Sequence, residues 1–153
     1  MAAFYGRHYL RVDEKGRVIV PSHFRDVMKR NGCGGILYVT CAMIDECLLI
    51  YPDHEWDRLM EKLSDKPRNS DAVKYFMRKV VGSAQECELD RQGRVLVPPS
   101  LRDDVGLAAG GEIVAVGVGE KVEIWSRAGF DKVIKPQAAQ LDKFEEELAA
   151  MGI

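Results

Sequence analysis

The side chains in this 153-residue sequence whose types and spacing suggest chemistry are cations set in two matched motifs. Lys15 and Arg17 lie in "DEKGRVIVP", and Arg91 and Arg94 lie in "DRQGRVLVP", 77 positions later. Arginine offers a planar fork of donors that fits guanine O6 and N7, or a phosphate. Lysine is a compact charge suited to phosphate, and Arg7 and Arg11 upstream would extend the same track along a nucleic-acid backbone. Each motif also carries an aspartate (Asp13, Asp90) four residues before the arginine and a glycine (Gly16, Gly93) just before it. This is binding chemistry. No nucleophile-base arrangement, metal triad or phosphate loop accompanies it, and "GVGEKVEI" lacks the lysine-hydroxyl ending that a phosphate loop needs. His8, His23 and His54 are scattered, and Cys33, Cys41, Cys47 and Cys87 show no Cys-x-x-Cys spacing, so they read as reduced, packed thiols. No enzyme activity, metal, cofactor or small-molecule substrate is expected.

Two readings of Arg17 and Arg94 stay open at this level. Each arginine has an aspartate four residues away across a turn, so each suits an ion pair as well as DNA. Asp13 and Asp90 read as structural partners, since a carboxylate facing phosphate repels it. The charge around the motifs differs between the copies. From Arg7 to Arg30 seven basic residues meet three acidic ones, whereas from Ala84 to Leu107 three basic residues meet five acidic ones. The first copy is therefore expected to face DNA, with Arg91 and Arg94 contributing less. Arg25 and Arg102 are each followed by an aspartate and read as helix-surface pairs.

The motifs belong to a longer repeat. At an offset of 77, Asp13, Gly16, Arg17, Val18, Val20, Pro21, Arg25 and Asp26 recur as Asp90, Gly93, Arg94, Val95, Val97, Pro98, Arg102 and Asp103. Further on the offset is 74, and "LLIYPDHEWDRL" matches "VEIWSRAGFDKV". Identities spread this widely indicate a duplicated fold unit. Each unit reads as two strands about a glycine turn, a short helix after proline, and a strand pair. Helices capped by Asp53, Ser70 and Ser126 follow, with apolar residues at helical spacing, and Ser22 caps the short one. A final segment places Leu141, Phe144, Leu148 and Met151 on one stripe, able to pack within the chain or on a neighbouring subunit. One unit alone has exposed strand edges and buries little. Two units pairing would close a small, approximately two-fold β-barrel. The expected class is α+β, mainly β, with peripheral helices and units at 1–81 and 82–153.

Bulk composition adds limits. The chain is 46% hydrophobic and 30% charged, with net charge −2 and no apolar run long enough for a membrane span. The start "MAAFYGRHYL" lacks the basic head and long apolar stretch of a secretion signal, so a cytoplasmic location is expected.

With both Asp-x-x-Gly-Arg motifs, the spacer "PDHEWDRLMEKL", the stretch "FMRKVVGSAQECELD" and "VGVGEKVEIW" in hand, the chain resembles MraZ proteins, tandem members of the AbrB-like swapped-hairpin superfamily. The resemblance implies a sequence-specific, double-stranded-DNA-binding transcriptional regulator associated with the nucleoid. It would act on tandem promoter boxes of a division and cell-wall gene cluster, its own gene included, and assemble into a ring-shaped homo-oligomer. Other swapped-hairpin regulators often carry a second arginine after the equivalent of Arg25. Here that position is Asp26, so the contact does not transfer. A ring-forming scaffold or an antitoxin-like partner-binding protein is the alternative.

Overall fold

The run Leu48-Leu49-Ile50-Tyr51 is apolar at every position, which a strand tolerates only when both its faces are covered. That is how it is used. In the computed structural model, which describes residues 2–153, the first copy runs β1 (Arg7–Arg11), β2 (Arg17–Ile19), α1 (Ser22–Arg30), β3 (Ile36–Cys41), β4 (Leu48–Pro52) and α2 (Asp53–Ser64). A linker helix, α3 (Asp71–Phe76), continues into a π-helical turn at Met77–Val81. The second copy repeats the order as β5 (Gln85–Glu88), β6 (Arg94–Leu96), α4 (Pro99–Asp104), β7 (Glu112–Gly117), β8 (Val122–Ser126) and α5 (Arg127–Gln137). After a 3-10 turn, α6 (Leu141–Ala150) follows.

Six strands form one antiparallel sheet in the order β1-β7-β8-β4-β3-β5, and β2 and β6 form a separate two-stranded ribbon. The copies exchange edges, for β1 pairs with β7 of the second copy and β5 pairs with β3 of the first. Two central pairs mark an approximate two-fold axis. Val18 faces Val95 in the ribbon and Leu49 faces Glu123 in the sheet, and each is the counterpart of its partner in the repeat.

Side-chain alternation then divides the interior. On one face Leu37, Val39, Leu48, Ile50, Ile113 and Ile124 pack with Val18 and Val95 of the ribbon, Phe24 of α1 and Leu101 of α4. On the other, Leu49, Tyr51, Val114 and Trp125 pack with Trp56 of α2 and Phe130 of α5. No described helix is long and apolar enough to cross a membrane.

Two expectations are corrected. The barrel does not close, because β1 and β5 stand at opposite ends of an open sheet and the ribbon covers one face instead of joining those ends. Ser22 and Asp53 do not cap α1 and α2, since Pro21 and Pro52 occupy the capping position and offer no side-chain acceptor. The Asp53 carboxylate accepts the neighbouring His54 N–H at 2.7 Å instead. By contrast, Ser70 and Ser126 do cap, accepting the N–H groups of Val73 and Gly129. The helix α5 itself runs through Pro136 and tightens to a 3-10 turn two residues later. Near a helix end the missing proline donor removes only a terminal bond.

Candidate nucleic-acid interface

Asp13 organises the first turn. One carboxylate oxygen accepts the N–H groups of Lys15 at 2.9 Å and Arg17 at 2.8 Å, and the other accepts Arg17 Nε at 2.6 Å. Asp90 does the same in the second turn, holding the N–H groups of Gln92 and Arg94 at 2.9 Å and Arg94 Nε at 2.8 Å. Both carboxyls sit below their usual range. The backbone N–H of the motif arginine is the largest cause, its side-chain bond a further one, and partial burial opposes the shift. The ion-pair reading is therefore correct for both arginines, though it uses only Nε. Among the described residues no hydrogen bond is made by Nη1 or Nη2 of Arg17 or Arg94.

The motif glycines have a second role besides turning the chain at φ of 81° and 78°. A methyl carbon on Gly16 would stand 2.8 Å from Cζ of Arg102, and one on Gly93 would stand 2.7 Å from Nε of Arg25. Each guanidinium thus lies over the turn of the other copy. Arg25 Nε also donates to Val20 O at 3.0 Å, and Arg102 Nε to Val97 O at 3.2 Å. The Val20 and Val97 N–H groups in turn bond the carbonyls of Gly93 and Gly16. Arg25 and Arg102 are structural, as expected, but they clasp the opposite repeat rather than pairing with Asp26 and Asp103.

The ribbon joins the two motifs. Val18 and Val95 point inward and are buried, so Arg17, Ile19, Arg94 and Leu96 share the outward face. Arg17 lies opposite Leu96, and Arg94 opposite Ile19. The two arginine side chains are equally accessible, at 28% each. Lys15 and Arg91 are exposed on the flanking turns.

Arg7 and Arg11 do not join this surface. They alternate with His8 and Leu10 on β1, and Leu10 packs toward the ribbon side, so both arginines face the α5 side of the sheet. Arg7 lies 5.1 Å over the Phe130 ring and bonds Tyr9 Oη, while Arg11 bonds Gly110 O and Glu112. They are apart from Arg17 because β1 belongs to the six-stranded sheet, whereas β2 belongs to the ribbon that covers the opposite face. The charge difference between the copies resides here too, because Glu88 of β5 occupies the place that Arg11 takes in β1.

Two residues of the outward face escaped the reading of the sequence. Ile19 and Leu96 are 43% and 56% exposed, although both are large aliphatic residues in strands. Strict alternation from buried Val18 and Val95 would have found them.

Fold and side-chain placement define a tandem-repeat protein that presents a basic two-stranded ribbon built jointly by its halves. The model of the family described as MraZ protein, with an antitoxin-like character in that description, matches residues 3–79 and again 80–151. Relatives named "Transcriptional regulator MraZ" cover nearly the whole chain. That of Moorella thermoacetica is 35% identical over 98% of this chain and 99% of its own length. Those of Pediococcus pentosaceus and Lachnoclostridium phytofermentans are 36% and 41% identical, each over 98% of this chain and 99% and 98% of their own lengths. The chain belongs to the MraZ family.

Proposed function

We propose that the chain is a transcriptional regulator that binds double-stranded DNA sequence-specifically through the outer face of the β2/β6 ribbon. The observation that carries this reading is the convergence of Arg17 and Arg94 on that face, each held through Nε by its aspartate. A two-stranded ribbon fits the major groove, about 12 Å wide. The terminal nitrogens of each guanidinium are the pair that meets guanine O6 and N7. Fixing Nε settles the orientation before binding, and the neighbouring carboxylate weakens indiscriminate attraction to phosphate. Lys15 and Arg91 on the turns supply backbone contacts that position the ribbon. Both copies contribute in this reading, and Arg7 and Arg11 are structural.

The exchange of edges corresponds to the swapped-hairpin arrangement of AbrB-like proteins, with units at 1–81 and 82–153. The sites of action are tandem promoter boxes of a division and cell-wall gene cluster that includes its own gene, on nucleoid DNA. The relatives' shared name supports the regulatory role. Self-association into a ring multiplies weak single contacts by effective concentration when box and subunit spacing agree. The α6 stripe, with Leu141 58%, Leu148 41% and Met151 70% exposed, supports assembly and also favours the competing reading of a scaffold that binds no DNA.

Selection of duplexes from a randomised pool, followed by fluorescence anisotropy across a salt series, separates the two readings. A regulator enriches a defined sequence, and its affinity falls linearly on a log-log salt plot. Absence of any enriched sequence would leave the scaffold reading in place of this one.

A further inference from the structure

The outward face of the ribbon is not purely basic. Ile19 and Leu96 stand on it at 43% and 56% exposure, each directly across from an arginine. Two large aliphatic side chains stand about half open to water at the centre of a charged surface and belong to neither the buried core nor the residues packed against it. Building on the DNA reading above, we propose that Ile19 and Leu96 are specificity-determining residues that contact the 5-methyl groups of thymines in the major groove.

The chemistry is specific. In that groove the thymine methyl is the one apolar group a base pair presents, and an aliphatic side chain is its natural complement. Spacing agrees as well. Arg17 and Ile19 are two residues apart on one strand face, about 6.8 Å, which is about two base-pair steps of 3.4 Å. Arg94 and Leu96 repeat that relation across the approximate two-fold axis through Val18 and Val95. Each half of the ribbon thus couples a guanine-type reader to a methyl reader. The flanking cations count against an apolar peptide, which would leave Arg17, Arg94, Lys15 and Arg91 without a counter-charge.

The test changes the DNA first, so that no protein variant need fold. In the duplex the wild-type protein selects from a random pool, thymines are replaced singly by deoxyuridine, which keeps the pairing and removes only the methyl. Replacement at a contacted position weakens binding about fourfold, and replacement at two such positions about fifteenfold. Other positions show no change. Ile19→Ala and Leu96→Ala, checked for native circular dichroism, each lose sensitivity at one contacted position. A wild-type protein that keeps its selected sequence yet ignores every deoxyuridine replacement overturns this inference and leaves the DNA reading intact. Sensitivity that survives unchanged in both variants overturns the assignment to these residues. Lack of preference for any duplex overturns both.

Discussion

Replacing Gly16 with alanine tests the clasp that holds the two copies in register. Two costs combine at this position. The backbone φ is 81°, and an L-residue there loses roughly 1–2 kcal/mol. The new methyl carbon also stands 2.8 Å from Cζ and Nη2 of Arg102, so the guanidinium must move and its bond to Val97 O at 3.2 Å is lost, for about 0.5–1.5 kcal/mol more. Against these, alanine restricts the unfolded chain and returns about 0.4–1 kcal/mol. The net expectation is a loss of about 1–2.5 kcal/mol. Urea unfolding at fixed protomer concentration measures it, because self-association shifts apparent stability. The cycle with Arg102→Ala is the sharper part. Once the side chain is gone only the backbone cost remains, so the double variant loses about 0.5–1.5 kcal/mol less than the sum of the singles. Gly93→Ala with Arg25→Ala follows the same pattern, since that methyl meets Arg25 at 2.7 Å. Losses that add within about 0.3 kcal/mol in both cycles would refute the cross-repeat contact.

Acid sensitivity follows from the aspartate turns. Both Asp13 and Asp90 have folded-state values lowered from 3.8, so the unfolded chain takes up protons first as pH falls. Their contribution is complete above about pH 5, shrinks below it, and vanishes under the folded values. Carboxyl-carbon NMR titration in both states shows the two midpoints in that order. Val18→Ala and Val95→Ala each remove two buried carbons from the ribbon's inward face, and each lowers the unfolding free energy by about 1.5–3 kcal/mol in urea. Cys47 is fully buried with its thiol pushed up by burial, so iodoacetamide at pH 8 modifies it only after denaturation. Partly accessible Cys33 and Cys87 react first, as peptide mass spectrometry over time would record.

Much of this molecule is legible in the repeat itself. The two offsets, 77 and 74, are realised as Val18 opposite Val95 and Leu49 opposite Glu123, so aligning the sequence against itself locates the symmetry axis. The Asp-x-x-Gly-Arg spacing likewise predicts a turn with an ion pair, because four residues bring Asp13 and Arg17 together locally. Pairing between distant strands is not encoded so openly. Nothing in Arg7–Arg11 states that its partner is β7 rather than its neighbour β2, and the open sheet follows from that choice. Arg25 shows the same limit. Its adjacent Asp26 suggests a local pair, whereas its actual seat over Gly93 depends on how the copies dock. Charge counted along the chain does not give its placement, for a related reason. The first copy's excess includes Arg7 and Arg11 on the edge strand and Lys29 and Arg30 at the end of α1, whereas the ribbon draws one arginine from each copy.

The central claim is that DNA is read by the ribbon face and not by the opposite side of the sheet. It is tested most directly by comparing Arg17→Ala, Arg94→Ala and Arg11→Ala on one selected duplex by fluorescence anisotropy at constant salt. The first two are each predicted to lose about 1–3 kcal/mol of preference over a scrambled duplex, about 5-fold to 150-fold. Arg11→Ala, whose side chain is engaged by Gly110 and Glu112 on the other face, is predicted to retain that preference. Equal losses in all three, or a loss confined to Arg11→Ala, would contradict the account.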